Sequence, residues 1–434
     1  MYQNEENRLQ EHKQKYDEIE IPSDRLDQSI SKGMSRAHME STKSIRKIGR
    51  WIVPMIAASI LVFAFIASIR VSPAFASHVA SLPGMEKMVE LIHHDKGLMS
   101  ALENEFMQDI GVSQENDGMK LTIDSAIADE QGMVVFYSIE TEQTQEELTI
   151  KKSELTLADG SELEAVTSYD TGPFLQSDGF TSKVEVMFSK LSTDTDYILN
   201  AEIEGASSSE SFSIPFSIEH SEETKHVYEL NQTVDIEGQS LIIERVIVYP
   251  IRTAVEIKAH PDNTKKILHF ESMRLVNEDG EEWSGSSNGL TSSGDNETGW
   301  SIYLQSNYFE NPDELYLEIN EMQAIDKEDE FLVFDTEQRA ILHQPNGNRL
   351  VFDEISNGTA FFSIADENYG FVPFGSIKDS EDKEFGMSGS YNSTGEGSTR
   401  FGFDIPKEEF TNPLYIEFEF YPAWIEDEVL IKVK

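Results

Sequence analysis

The sequence predicts a mainly β chain, with one transmembrane helix, a short helical stalk and two to three tandem Ig-like β-sandwich domains. Three observations carry that expectation. The nineteen residues from Trp51 to Ile69 hold no charge and no side-chain amide, and Arg50 and Arg70 flank them. From Gly118 onward apolar residues alternate with polar ones, the period of a half-buried strand. Three sequence marks then recur in one order along the remainder.

Residues 1–50 come first and are too short for a conventional core. They can hold one or two helices that fold fully only on a partner. Pro22-Ser23-Asp24-Arg25-Leu26 gives a helix start with Ser23 or Asp24 near the cap. Leu26, Ile30 and Met34 follow at i, i+4 and i+8, a narrow apolar stripe among charges. Such a stripe reads either as a ligand for a groove on a cytoplasmic partner or as part of a disordered or membrane-lying linker.

The run 51–69 is the predicted membrane helix. Its length at the helical rise is roughly 28 Å, against a hydrocarbon core of about 30 Å. Lys32, Arg36, Lys43, Arg46, Lys47 and Arg50 precede it closely, whereas only Arg70 and Lys87 follow at similar range. That imbalance places the N-terminus in the cytoplasm and the long C-terminal part outside the cell membrane. Ala74-Phe75-Ala76 resembles a signal-peptide cleavage site, but fifty residues precede the run and it exceeds a usual h-region.

Residues 70–111 form the predicted stalk. Met85, Met88, Val89 and Ile92 make one helical stripe, and Leu98, Leu102, Phe106 and Ile110 a second, ending before Gly111. The expectation is that both pack on the first outer domain; a partner-binding helix is the alternative.

Three β units follow, over 112–222, 223–340 and 341–434. A glycine opens a strand at Gly118, Gly238 and Gly347. An acidic turn comes next, at Asp159-Gly160, Asp279-Gly280 and Asp379–Asp382. A late strand then starts at Tyr197, Tyr316 and Tyr415. The spacing suits a unit of immunoglobulin size, without the Cys–Trp–Cys core of true immunoglobulin domains.

Composition narrows the function. The chain carries a net charge of −46, and nearly all of the excess lies beyond residue 50. An outer part so acidic excludes nucleic acid as a partner, because phosphate contacts need Lys and Arg. Adaptation of an exposed surface explains the acidity simply. Calcium loading at Glu278–Glu282 or Asp379–Asp382 is the sharper reading, although neither matches an EF-hand loop. There is no cysteine, hence no disulfide and no thiolate chemistry.

No catalytic residue, cofactor site or metal site is expected. Gly285-Ser286-Ser287-Asn288-Gly289 fits G-x-S-x-G but sits in a polar loop between strands rather than at a strand–turn–helix elbow. His93-His94 reads as a polar helix end, since adjacent side chains on a helix diverge.

Residues 71–98 carry a family resemblance. Val71-Ser72-Pro73-Ala74-Phe75-Ala76, then Leu82-Pro83-Gly84-Met85-Glu86-Lys87-Met88 through Ile92, then Asp95-Lys96-Gly97-Leu98, resemble the domain-of-unknown-function family 4179. Its members are single-span membrane proteins of Gram-positive bacteria. Residues from about 225 to 340 are similar to the accompanying family 5643. Some such proteins are described as anti-sigma factors. The resemblance therefore implies a cytoplasmic segment that holds a sigma factor, without zinc because cysteine is absent, until a signal from an unknown envelope ligand releases it. A cell-surface binding or structural protein with β-sandwiches on a membrane anchor is the reading from another class. A hydrolase of wall polymers is a third.

Overall fold

The computed structural model describes residues 85–434, apart from residues 191, 193, 206–208, 220–224, 286–289, 388 and 396. The stripe Leu26, Ile30 and Met34, the run Trp51–Ile69, its flanks Arg50 and Arg70, and most of the G-x-S-x-G loop lie outside the described residues. Among the described residues no helix is long and apolar enough to cross a membrane. The fold is mainly β, with several sheet domains.

Two short helices open it: α1 (Met85–Ile92) and α2 (Lys96–Glu103). Asp95 caps α2, its Oδ1 accepting the Leu98 N–H at 3.0 Å. The second stripe does not run on to Ile110 as the spacing predicts. Asn104 ends α2, and Glu105 takes a φ of 58°, left-handed backbone that cannot continue a helix. Phe106 then meets Phe309 edge-on, ring centroids 5.5 Å apart. Ile110 lies in the strand Gln108–Asn116 and packs on the first β core.

The first β domain is one hydrogen-bonded sheet folded over its own core. Its hinge is the long strand Gly132–Leu157. The first half of that strand pairs with Met119–Asp129 and Phe174–Phe188, and the second half pairs with Asp196–Gly205. The strand Ser209–Ser217 closes the second layer by a hairpin with Asp196–Gly205. Leu121, Ile123, Val135, Tyr137, Leu199 and Ile214 fill the space between the layers. Their alternation along each strand is what aims them inward together.

The second domain has two separate sheets. One runs from Thr291–Asp295 through Gly299–Gln305, Arg252–Ala259 and Gln239–Val248 to His226–Ile236. The other contains Glu282–Trp283, Lys265–Asn277, Leu315–Asp326 and Trp424–Lys432. Trp283, fully buried, sits in the core between them. The third domain repeats the plan over a phenylalanine-rich core that includes Phe334, Phe362, Phe403 and Phe418.

The last strands of the second and third domains are exchanged. In the first domain the late strand Asp196–Gly205 pairs with the strand that follows it. The corresponding late strand of the second domain, Leu315–Asp326, is followed by Phe331–Asp335. That follower crosses to the third domain and pairs with Leu414–Phe418. The strand after Leu414–Phe418, Trp424–Lys432, returns to pair with Leu315–Asp326. Both pairings are antiparallel, as the ordinary hairpin would be. Three sandwiches in series, divided at 340/341, are therefore not what the sheets form. Residues 331–335 belong to the third core and residues 424–433 to the second.

The third unit departs once more. Gly118 and Gly238 close hairpins in which a preceding strand pairs with the one they open. Before Gly347, the strand Ala340–His343 instead pairs with Phe331–Asp335 in the opposite sheet. Leu350–Ser356 is thus an edge strand among the described residues. Its Asp353 and Glu354, both ion-paired to Arg400, put charge on that edge and oppose pairing with other chains.

Candidate functional site

The two helices do not stand apart as a stalk. They sit in the joint between the first and second β domains and touch both. Toward the first domain, the buried Ser125 Oγ meets Met88 Sδ at 3.5 Å. Toward the second, Gly97 lies so close to Ser306 that an added Cβ would fall 2.6 Å from its backbone nitrogen. Only glycine permits this approach. Gln305 joins the turn between α1 and α2: its Oε1 accepts the Lys96 N–H at 3.1 Å and its Nε2 donates to the His94 carbonyl at 3.2 Å. Lys96 Nζ donates to the Glu282 carbonyl at 2.8 Å and lies 5.5 Å from the centre of the Trp283 ring. The expectation that both stripes pack on the first domain holds for Met88 and Ile110, but the helices pack on the second domain as well. The second-domain contacts come from residues some two hundred positions away and leave no local mark in the helical sequence.

The domains also meet directly. Asp129 ends a strand of the first domain and is buried. Its Oδ1 accepts the N–H groups of Gln131 and Gly132, at 2.8 and 3.2 Å. Its Oδ2 reaches across to the Ile251 N–H of the second domain at 2.9 Å. Burial pushes this carboxyl up, against those three hydrogen bonds and the charge of Arg252. The neighbouring Glu130 pairs with Lys225.

Between these contacts lies a cleft of about 680 Å³. The helical turn contributes His94, Asp95 and Leu98; the first domain Tyr169, Lys183 and Glu185; the second Arg252, Tyr303 and Gln305. Polar and apolar groups share its walls, and its volume lies in the range of small-molecule sites. Lys183 is ion-paired to Glu185. Burial pushes the Asp95 carboxyl up, opposed by the Leu98 N–H, with Glu185 adding to the rise and Lys183 and Arg252 opposing it. Arg252 makes no ion pair among the described residues, and its Nε is buried without a hydrogen-bond partner there. Sequence reading singled out none of Asp129, Lys183, Arg252 or Gln305. Each is an ordinary strand or turn residue until the fold brings the domains together.

The acidic clusters are used in turns. Asn277 Oδ1 accepts the N–H groups of Asp279 and Glu281. Glu278 accepts those of Asp313 and Glu314. Asp379 accepts those of Glu381, Lys383 and Thr411, and the Thr411 bond leads in holding its carboxyl below the usual range. His93 and His94 are exposed at the end of α1. No group of three or more potential metal ligands occurs among the described residues.

A pair of short helices wedged between tandem β domains is the arrangement that the chain presents. Comparison with known proteins agrees with the resemblance read from the sequence. Residues 46–141 match the Domain of unknown function (DUF4179), and residues 225–353 match the Family of unknown function (DUF5643). The first match includes α1, α2 and the opening strands of the first domain; the second spans most of the second domain and the start of the third. No curated protein matches. A solved structure described as the conserved domain protein from Bacillus anthracis is similar at 17% identity and a TM-score of 0.37, covering 55% of this chain and 84% of that one.

Proposed function

We propose that the chain is a single-pass membrane regulator of anti-sigma type. In this reading residues 1–50 hold a cytoplasmic sigma factor through Leu26, Ile30 and Met34. Trp51–Ile69 crosses the membrane with Arg50 and Arg70 at its faces, and the β domains receive an envelope signal. The protein acts by binding and release, with no catalytic step. The observation that carries the reading is the clamping of α1 and α2 at the joint. These helices follow the predicted span closely in sequence, so in this reading the joint is the part of the outer chain nearest the membrane along the chain.

The test is co-purification of the full chain, in detergent, with sigma factors of its own host. Capture of one is expected, and loss of capture when Leu26→Asp and Ile30→Asp are combined. Absence of any sigma factor from the purified complex would sink the reading. The exchanged strands favour a second one, in which a stiff double domain serves as a spacer on a surface-anchored binding or structural protein. In that case deleting residues 2–40 leaves the cellular phenotype unchanged, whereas a regulator loses its control.

A further inference from the structure

One guanidinium at the joint, that of Arg252, makes no ion pair among the described residues. The chain has 80 acidic and 34 basic side chains, so a basic group is surrounded by acid almost anywhere on the surface. Arg252 nevertheless lines the cleft with no carboxylate bound to it among the described residues, and its Nε is buried without a partner. An unpartnered buried donor forfeits the hydration it had in the unfolded chain and gains nothing in return. Asp129, a buried acid of the joint on which the charge of Arg252 acts, does not resolve this, because its two oxygens are taken up by three backbone N–H groups. Asp95 faces the same cleft with one oxygen engaged by the Leu98 N–H. Asp95 and Arg252 are close enough to act on one another and yet form no ion pair.

An acid on the helical turn and a base on the second domain, both lining one cleft, fit the two ends of a zwitterion. A simple anion suits the cleft poorly, since Asp95, Asp170 and Glu185 outnumber Lys183 and Arg252 on its walls. A simple cation would leave Arg252 as it is. The volume suits a short peptide or an amino acid, and Tyr169, Tyr303 and the exposed Val166 offer apolar surface for its side chains.

We propose that the cleft between α2 and the first two β domains binds a small zwitterion of the amino-acid or short-peptide class, its carboxylate on Arg252 and its ammonium group on Asp95. A carboxylate in the cleft would engage the Arg252 guanidinium by charge-assisted hydrogen bonds. The occupant touches both domains and the helical turn together, so it favours the closed joint by its differential affinity for that state. This inference rests on the sensory role proposed for the β domains but requires no cytoplasmic partner.

The test uses the full chain in detergent and the dipeptide alanyl-alanine as probe, titrated by calorimetry and followed by thermal unfolding. Two capped forms serve as controls, the C-terminal amide and the N-acetyl peptide. Saturable binding of the free dipeptide and a raised midpoint of unfolding are expected. Each capped form should bind more weakly by roughly tenfold to a hundredfold, the effect of losing one charge-assisted hydrogen bond. Arg252→Gln should remove discrimination against the amide and Asp95→Asn discrimination against the N-acetyl form. Asparagine still caps a helix, so the second variant keeps α2 intact even if the first fails to fold. Lys407→Gln, on an exposed residue of the third domain, should change nothing. No binding up to about 10 mM, beyond which even weak sites become unspecific, would overturn the proposal. Equal binding of free and capped peptides would do the same, as would intact discrimination in both variants. Sigma-factor capture is a separate measurement, so peptide binding without capture refutes only the regulator reading, and capture without peptide binding only this one.

Discussion

Truncation after Ala423 tests the strand exchange most directly. It removes Trp424–Lys432 and the last two residues, which by sequence position belong to the third unit. In the fold, Ile425, Ile431 and Val433 are 3%, 1% and 7% exposed, and all three lie in the core of the second domain. Burying such a side chain contributes about 1.5–3 kcal/mol, so the three together are worth roughly 5–9 kcal/mol. Whole domains are stable by only about 5–15 kcal/mol, so the second domain should unfold or nearly so. The third core keeps its own closing strand, Phe331–Asp335, and loses none of its buried members. Tryptophan fluorescence separates the outcomes, because Trp283 and Trp300 are buried in the second core. Their emission should shift to the red in the truncated chain. The milder Ile431→Ala should lower stability by about 2–5 kcal/mol in denaturant, with the loss read at those tryptophans. The chain lacks cysteine, so paired substitutions add a covalent check. Glu318→Cys with Leu430→Cys, and Val333→Cys with Tyr415→Cys, occupy directly opposed positions and should each form a disulfide on oxidation. Unchanged emission after truncation, with neither disulfide forming, would refute the exchange.

Two further substitutions probe the joint and the first domain. Gly97→Val drives side-chain atoms into the Ser306 backbone and should destabilise the helix–joint contact by about 1–3 kcal/mol, visible as a lower unfolding midpoint and faster hydrogen exchange in α1 and α2. An unchanged midpoint and unchanged protection would mean that the close approach is not maintained. Asp124 is raised to about 6 by burial, opposed by a hydrogen bond from Ser138. The folded chain therefore holds this proton while the unfolded chain releases it near 4, and stability falls as pH rises from about 4 to 6. Asp124→Asn should stabilise by about 1 kcal/mol at pH 8, a figure already reduced for solvent screening, and by little at pH 4. Equal gains at both pH values in urea titrations would contradict that cause.

What the sequence showed and what it concealed follow from the range of the interactions. The alternation that marks Phe212, Ile214, Phe216 and Ile218 is local, and those side chains are buried in the first core. The recurring tyrosines were a weaker guide. Tyr197 points into its core, whereas Tyr316 and Tyr415 lie on partly exposed positions next to the buried Leu315 and Leu414. A mark shifted by one residue along a strand changes face, so the copies agree in order but not in register. The strand exchange has no local signature at all, because Trp424–Lys432 would suit either late strand. The cleft was hidden for the same reason: Asp95, Lys183 and Arg252 lie on three segments that only the folded joint brings together. The predicted partner stripe at Leu26, Ile30 and Met34 is a local signal of a different kind, since its meaning depends on another molecule.

The two joints of the β array differ in what opening them requires. Between the second and third domains, separation means withdrawing a complete strand from each core. It also disrupts Gln323, a buried residue whose Oε1 accepts both the Tyr421 N–H and the Tyr369 hydroxyl. Withdrawing residues 424–433 alone forfeits the roughly 5–9 kcal/mol of side-chain burial that stabilises the second core, so these domains move as one body. Between the first and second domains, no strand of either pairs with a strand of the other among the described residues. The direct polar links given above are the Asp129–Ile251 hydrogen bond and the Lys225–Glu130 pair, supplemented by the helical wedge. Hydrogen bonds of this kind contribute about 1 kcal/mol each, within the range that a ligand at millimolar to micromolar affinity can shift. The compliant joint is the one that holds α1, α2 and Arg252, which makes no ion pair among the described residues. A regulator built on this chain would therefore read its signal there, and the stiff pair beyond it would serve as the lever against which the first domain and its helices turn.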